Sequence, residues 1–322
     1  MKHNAKITII IILMFLLTQF IGLLVLHADV FHLEFEVDGT VQKISNPYLS
    51  FIEPPPIETT SESFSMLSGL IVAFIIAILL LFLFTKFKIE IILKLWFFVV
   101  VSIALFLSVL AFEKLAPFGI PLRLAMVIPL IIALPLAFIK IYRQNFLIHN
   151  LTEFFIYPGI ATVFVPILSI PTIILLLILI SGYDIWAVWK SGIMQKMAKY
   201  QIDKLKVFSG FFVPYAGKKT RQEIKLWRQK YKDKKITKKA MNSKKFRVNV
   251  AILGGGDIIF PIITAGVVMK TWGLTPAIFV LIGATLGLSY LLFFSEKKKF
   301  YPAMPFISAG IFLGMVISWI FL

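Results

Sequence analysis

Two aspartates stand where a bilayer-spanning chain would not tolerate them without a purpose. Asp257 follows Gly254-Gly255-Gly256 inside a long run of Val, Ile, Leu and Phe, and Asp184 follows Ser181-Gly182-Tyr183 in another. A charge at that depth costs at least ~2.5 kcal/mol, which marks an intramembrane carboxylate as a functional-site candidate in need of a partner. Of the sixteen acidic residues, these two are the ones expected well inside membrane spans. Two facing carboxylates in a low-dielectric site cannot both ionise, so they share a proton and titrate as a coupled pair. The ionised member can activate water. The protonated member can protonate an amide carbonyl and, later, the leaving amine. The pair suits hydrolysis of a peptide bond.

The elements that must position them are membrane helices. Fifty-nine per cent of the 322 residues are hydrophobic and the mean hydropathy is +0.91, far above the ~45–50% apolar share of soluble domains. At ~20 residues per crossing there is room for many spans. The expected fold is an all-α polytopic membrane protein with nine transmembrane helices. They run at about residues 6–27, 66–85, 89–112, 121–140, 151–168, 171–190, 248–268, 275–294 and 302–322. The first reads as a span rather than a signal peptide, because its apolar core is long and its small-residue cleavage site poor. Gly283 and Gly287 form a GxxxG pattern in the eighth span, the signature of a close helix contact.

Three regions follow. Residues 1–190 carry helices 1–6, including a polar excursion over 28–65. There Phe31, Leu33, Phe35 and Val37 alternate with polar positions before Asp38-Gly39, a pattern for a small external β-hairpin. Residues 191–246 form a basic loop, with nineteen of the thirty-three Lys and Arg lying between Lys190 and Arg247. Its first part, 192–207, keeps apolar residues at helical spacing and reads as an amphipathic surface helix. Residues 218–245 have high charge and few apolar anchors and read as mobile. Residues 247–322 carry helices 7–9.

The alternate connections that hold nearly all the Lys and Arg lie inside by the positive-inside rule. The amino terminus is then cytoplasmic, the carboxyl terminus outside and the basic loop cytoplasmic, where anionic lipid headgroups are its natural partner. Nucleic acid is not expected, since the strongly charged stretch 218–245 offers only Trp227 and Tyr231 for stacking. Asp184 lies six residues from Lys190, and Asp257 ten from Arg247. On helices those are depths of about 9 and 15 Å from the same membrane side. The two carboxylates can therefore meet.

Other hydrolytic chemistries are poorly served. There is no cysteine for a thiolate and no HExxH for zinc, and all four histidines precede both aspartates. No metal or cofactor is called for.

Tyr183-Asp184, Gly254-x-Gly256-Asp257 and Pro302-Ala303-Met304-Pro305 resemble the YD, GxGD and PAL motifs of the presenilin and signal-peptide-peptidase family, archaeal type. The nine spans, with these motifs on the sixth, seventh and ninth, match that family's architecture. The resemblance is specific from about Pro171 to Leu322 and rests on hydropathy before that. It implies a presenilin-like fold and an intramembrane aspartyl protease with Asp184 and Asp257 catalytic. Tyr183, Gly254, Gly255, Gly256, Pro302, Ala303, Met304 and Pro305 would shape the site. Substrates would be transmembrane helices or signal-peptide remnants, held after unwinding as an added strand. Phe246, Val248 and Val250 alternate with Arg247 and Asn249 and offer an edge for it. Two departures stand out: Gly255 where Leu is usual, expected to remove a side chain from the cleft, and Met304 for the Leu of PAL, expected to keep its packing role.

Two other classes fit a buried carboxylate. A carboxylate-coupled transporter predicts internal repeats, which the chain does not display. A prepilin-type peptidase shares GxGD but has fewer spans and no PAL-like segment. The full three-motif set in a short chain points to a protease that acts without partner subunits. The short loops fit an archaeal plasma membrane.

Overall fold

The computed structural model describes residues 5–37, 40–55, 57, 59–86, 90–116, 121–143, 145–191, 209–215, 220, 222–223, 249–296 and 301–321. Among them are nine α-helices: α1 (Ala5–His27), α2 (Thr60–Lys86), α3 (Glu90–Leu115), α4 (Leu122–Phe138), α5 (Phe146–Phe164), α6 (Ile170–Trp186), α7 (Gly255–Trp272), α8 (Leu274–Phe294) and α9 (Met304–Phe321). Four strands accompany them: β1 (His32–Val37), β2 (Thr40–Ser45), β3 (Gly210–Tyr215) and β4 (Asn249–Gly254). Seven helices are long and apolar enough to cross a membrane, and α7 and α9 fall short of that measure. The chain is a multi-pass integral membrane protein.

The hairpin forms as the alternation predicts. β1 and β2 pair antiparallel with Val37 opposite Thr40, and Phe31 and Leu49 pack with Val25, Leu107 and Leu110 under it. The expected 192–207 surface helix and most of the basic segment after it lie outside the described residues.

The seventh span is not a helix from its start. Residues 249–254 are β4, and they pair antiparallel with β3, drawn from the segment read as loop. β-branched and alternating residues on a buried surface favour strand over helix. The three glycines therefore do not loosen a helix interior. Gly254 is the N-cap of α7, and Gly255 and Gly256 open its first turn.

The fifth span also starts earlier than residue 151. Asn145 caps α5, its side chain accepting from the Leu147 and Ile148 backbone N–H groups. Pro158 sits inside α5 without ending it. The sixth helix passes into a π-turn over Ala187–Ser191, which begins three residues after Asp184. Gly273, at φ +99°, lets α7 turn into α8 in a single residue.

One apolar core joins α1, α5, α6, α7, α8, α9 and the β3–β4 ribbon, with Phe15, Tyr157, Ile173, Leu177, Phe211, Ile258 and Ile262 at its centre. A second joins α3, α4 and α5 around Leu105, Ala133, Ala137 and Ile156. The GxxxG of α8 meets a second one on α9, Gly310 and Gly314. Gly283 faces the Gly310 backbone and Gly287 that of Phe306, with Gly310 and Gly314 reciprocating. Only hydrogen fits where a Cβ would point, so the two backbones touch.

Candidate active site

α6, α7 and α9 bring the site together. Asp184 is 8% exposed, on the α6 face turned toward α9. Its Oδ2 accepts the Met304 backbone N–H at 3.0 Å, and the Ala303 N–H also points to it. Met304 opens α9, so its N–H is one of the first-turn donors that no helical carbonyl satisfies. A carboxylate placed there also meets the positive end of the helix. The hydroxyls of Ser181 and Ser308, 3.0 Å apart, hold α6 against α9 one turn away.

Asp257 is the third residue of α7 and half-buried. Its carboxylate reaches back to the backbone N–H of the N-cap, Gly254, as the third-position acid of a capping box does. Pro261, one turn on, has no N–H to offer the Asp257 carbonyl. Asp184 is close enough to Asp257 for their charges to interact. The helices thus bring together a pair separated by more than seventy residues of sequence.

The other motif residues divide. Gly254, Ala303 and Met304 supply backbone to the two carboxylates, and Pro302 and Met304 are buried beneath them. Pro305 follows in the first turn of α9. Gly256 is exposed at the first turn of α7. Tyr183 is 48% exposed and lies beside Trp186, ring centroids 6.2 Å apart, so its side chain faces out of the helix bundle. Gly255 corrects the expectation of an emptied cleft. It is buried, and a Cβ there would press on Ser209 Oγ and the Tyr157 ring and hydroxyl. Its small size lets those groups close on α7.

Hydropathy alone did not single out a third buried acid. Glu153 on α5 is 1% exposed and forms an ion pair with Lys140, itself buried. It is close to the helix start read from hydropathy, where a carboxylate can be taken for a surface group. The signal available was Glu153 one turn after His149, within reach of a lysine at the end of the previous span.

The comparisons decide the family. The description "Signal-peptide peptidase, presenilin aspartyl protease" matches residues 52–322. The chain belongs to this family. It is an intramembrane aspartyl protease, and the match tells against both the transporter and the prepilin-peptidase alternatives. The fold agrees with solved structures of family members. A presenilin family intramembrane aspartate protease in a C222 crystal form superposes with a TM-score of 0.57 at 16% identity, over 98% of this chain and 99% of that one. A P2 crystal form of a presenilin family intramembrane aspartate protease gives 0.55 at 16% identity, over 97% of each chain. No curated protein matches the chain. The likeness of fold thus extends through the amino-terminal helices, where hydropathy had been the sole guide.

Proposed function

We propose that Asp184 and Asp257 are the catalytic pair of this protease and that it cleaves transmembrane helices or signal-peptide remnants. The observation that carries the reading is the meeting of two carboxylates at the ends of buried helices, with backbone N–H groups orienting each. One aspartate, ionised, takes a proton from water as that water attacks the scissile carbonyl carbon. The other, protonated, gives its proton to the carbonyl oxygen. As the tetrahedral adduct collapses and the C–N bond breaks, the amide nitrogen leaves with a proton from the pair.

A helical substrate must unwind before its carbonyl can be reached, and the β3–β4 ribbon supports a way to hold the unwound segment. Phe212 exchanges both backbone groups with Asn150 rather than with β4. Phe212 and Ile252 are therefore a non-hydrogen-bonded pair, and the Ile252 N–H and C=O point to the other side of β4. By the same alternation the Gly254 N–H lies on that edge, where it meets Asp257. A strand added to β4 would run toward the carboxylates. Pro214, which has no N–H, stands opposite Val250 and faces away from the ladder, where a proline does no harm.

The excess of Lys and Arg in alternate connections supports a cytoplasmic amino terminus, an external carboxyl terminus and a cytoplasmic basic loop on anionic headgroups, and the short loops fit an archaeal plasma membrane. The protease would act without partner subunits. Cleavage of a model transmembrane peptide by the wild type, Asp184→Asn and Asp257→Asn tests the reading. Cutting within the apolar stretch by the wild type alone supports it. Equal cutting by all three would move the chemistry elsewhere.

A further inference from the structure

Glu153, Lys140, His149 and Asn150 form a polar cluster at the amino-terminal end of α5, and the catalytic reading uses none of them. The Lys140 ammonium bonds the Glu153 carboxylate and donates to His149 Nδ1 at 3.2 Å. With Nδ1 accepting, the ring proton sits on Nε2, which donates to the Gly210 carbonyl at 2.8 Å. Next along the helix, Asn150 Nδ2 donates to the Phe212 carbonyl at 2.8 Å, and its Oδ1 accepts the Phe212 N–H at 3.0 Å. Two consecutive side chains of a helix thus occupy the outer edge of β3, as a third strand would. The His149 ring lies over that of Phe212 with centroids 4.9 Å apart, and Phe154 and Tyr157 pack on Phe211.

β3 is tied to the Asp257 helix at its start, beside the residue that His149 holds. The Ser209 carbonyl accepts the N–H of Gly255, the first helical residue of α7, at 3.2 Å. Ser209 Oγ lies 3.4 Å from the Tyr157 hydroxyl, whose ring fills the space that a side chain at position 255 would need. The chain of contacts runs from the buried ion pair to His149 and Asn150, through β3, to the turn that aims Asp257. A buried ion pair adds little stability over an apolar substitute but costs much when broken, and its best-supported use is to specify one arrangement.

We propose that His149 and Asn150, held by the Lys140–Glu153 pair, are positioning residues for Asp257, acting through β3. The inference rests on the assignment of Asp257 to the catalytic pair. By sealing the outer edge of β3 they also leave the β4 edge, among the described residues, to a substrate strand. A displacement of ~1 Å at a reacting group can cost ~10²-fold in rate. Releasing β3 should therefore lower kcat while the substrate edge, and with it KM, is kept.

The test measures kcat, KM and thermal unfolding of the full-length protein with a model transmembrane peptide, for Asn150→Ala, His149→Leu and His149→Gln, with Asp257→Asn alongside. Asn150→Ala and His149→Leu are expected to lose between ~10- and ~10²-fold in kcat with KM unchanged. His149→Gln, whose amide can still donate to Gly210, should recover most of the loss. Unchanged kcat in Asn150→Ala, a change in KM alone, or His149→Gln falling as far as His149→Leu would overturn the inference. If His149→Leu does not fold, Asn150→Ala, at a half-buried position, decides. Full cleavage by Asp257→Asn would instead bring down the assignment of the catalytic pair itself.

Discussion

The backbone N–H of Met304 donates to Asp184 Oδ2 at 3.0 Å, joining a carboxylate on α6 to the first turn of a helix 120 residues away. The proline-flanked segment therefore acts on the site through its main chain. The Met304 side chain, 3% exposed, packs beneath.

Main-chain and side-chain roles separate by substitution. Met304→Leu should change stability by less than ~1.5 kcal/mol, and Met304→Ala should cost ~2–5 kcal/mol through the cavity it leaves. Both keep the N–H, so cleavage per folded molecule should persist. Unfolding curves measured beside specific activity check this. Lost activity at full stability in Met304→Ala would place the side chain itself in the chemistry.

Gly255 and Gly256 should respond differently to one added methyl group. At Gly255 it meets Ser209 Oγ and Tyr157, and at Gly256 only a Phe260 ring carbon at 3.9 Å. Gly255→Ala is expected to reduce kcat and to destabilise by ~1–3 kcal/mol as those groups shift. Gly256→Ala should fold like the wild type. Equal unfolding temperatures for the two variants would refute the packing role of Gly255.

Helix contact predicts another contrast. Gly283→Ala puts a methyl group on the Gly310 carbonyl and must push α8 from α9, whereas Gly182 has open space around it. Gly283→Ala should cost ~1–3 kcal/mol. Gly182→Ala should leave stability unchanged or raise it by up to ~1 kcal/mol, since alanine is the better helix former. Thermal unfolding in one detergent compares them directly.

Ile252→Pro removes an outward N–H from β4 without touching its bonds to β3. If substrate adds to that edge, KM should rise while the unfolding temperature holds. Leu253→Pro, which breaks the ladder to Phe211, should instead destabilise the protein. Unaltered KM in Ile252→Pro would argue against strand addition at β4.

The β1–β2 hairpin carries a pH-sensitive contact. Burial raises the pKa of Asp29, but His32 at 2.9 Å and Lys43 at 3.3 Å outweigh it and hold the carboxyl below its ordinary 3.8. A group depressed in the folded state adds stability that is complete above its unfolded pKa. That stability is lost as the pH falls below 3.8 and through the folded value. Asp29→Asn should flatten the acid limb of the unfolding temperature between about pH 5 and 3. Asn also tolerates the positive φ of 47° found here. An unchanged acid limb would show that the contact contributes nothing.

Composition and local period were enough to establish the membrane class, the helices α1 to α6 and α8 to within a turn or two, the β1–β2 hairpin and the close contact made by Gly283. Each is a condition that the chain must satisfy wherever it lies. Asp184 and Asp257 stood out as candidates too, because an apolar run admits a carboxylate at a cost that function must justify. That residues 249–254 form a strand emerged only in the folded molecule, since an apolar alternation leading into a helix reads either way until β3 arrives to pair with it. The same holds for Gly255 facing Tyr157, for the Met304 N–H reaching Asp184 and for Glu153 buried with Lys140. These are contacts between groups distant in sequence, and hydrophobic period carries no record of which backbone edge or buried charge a neighbouring helix will meet.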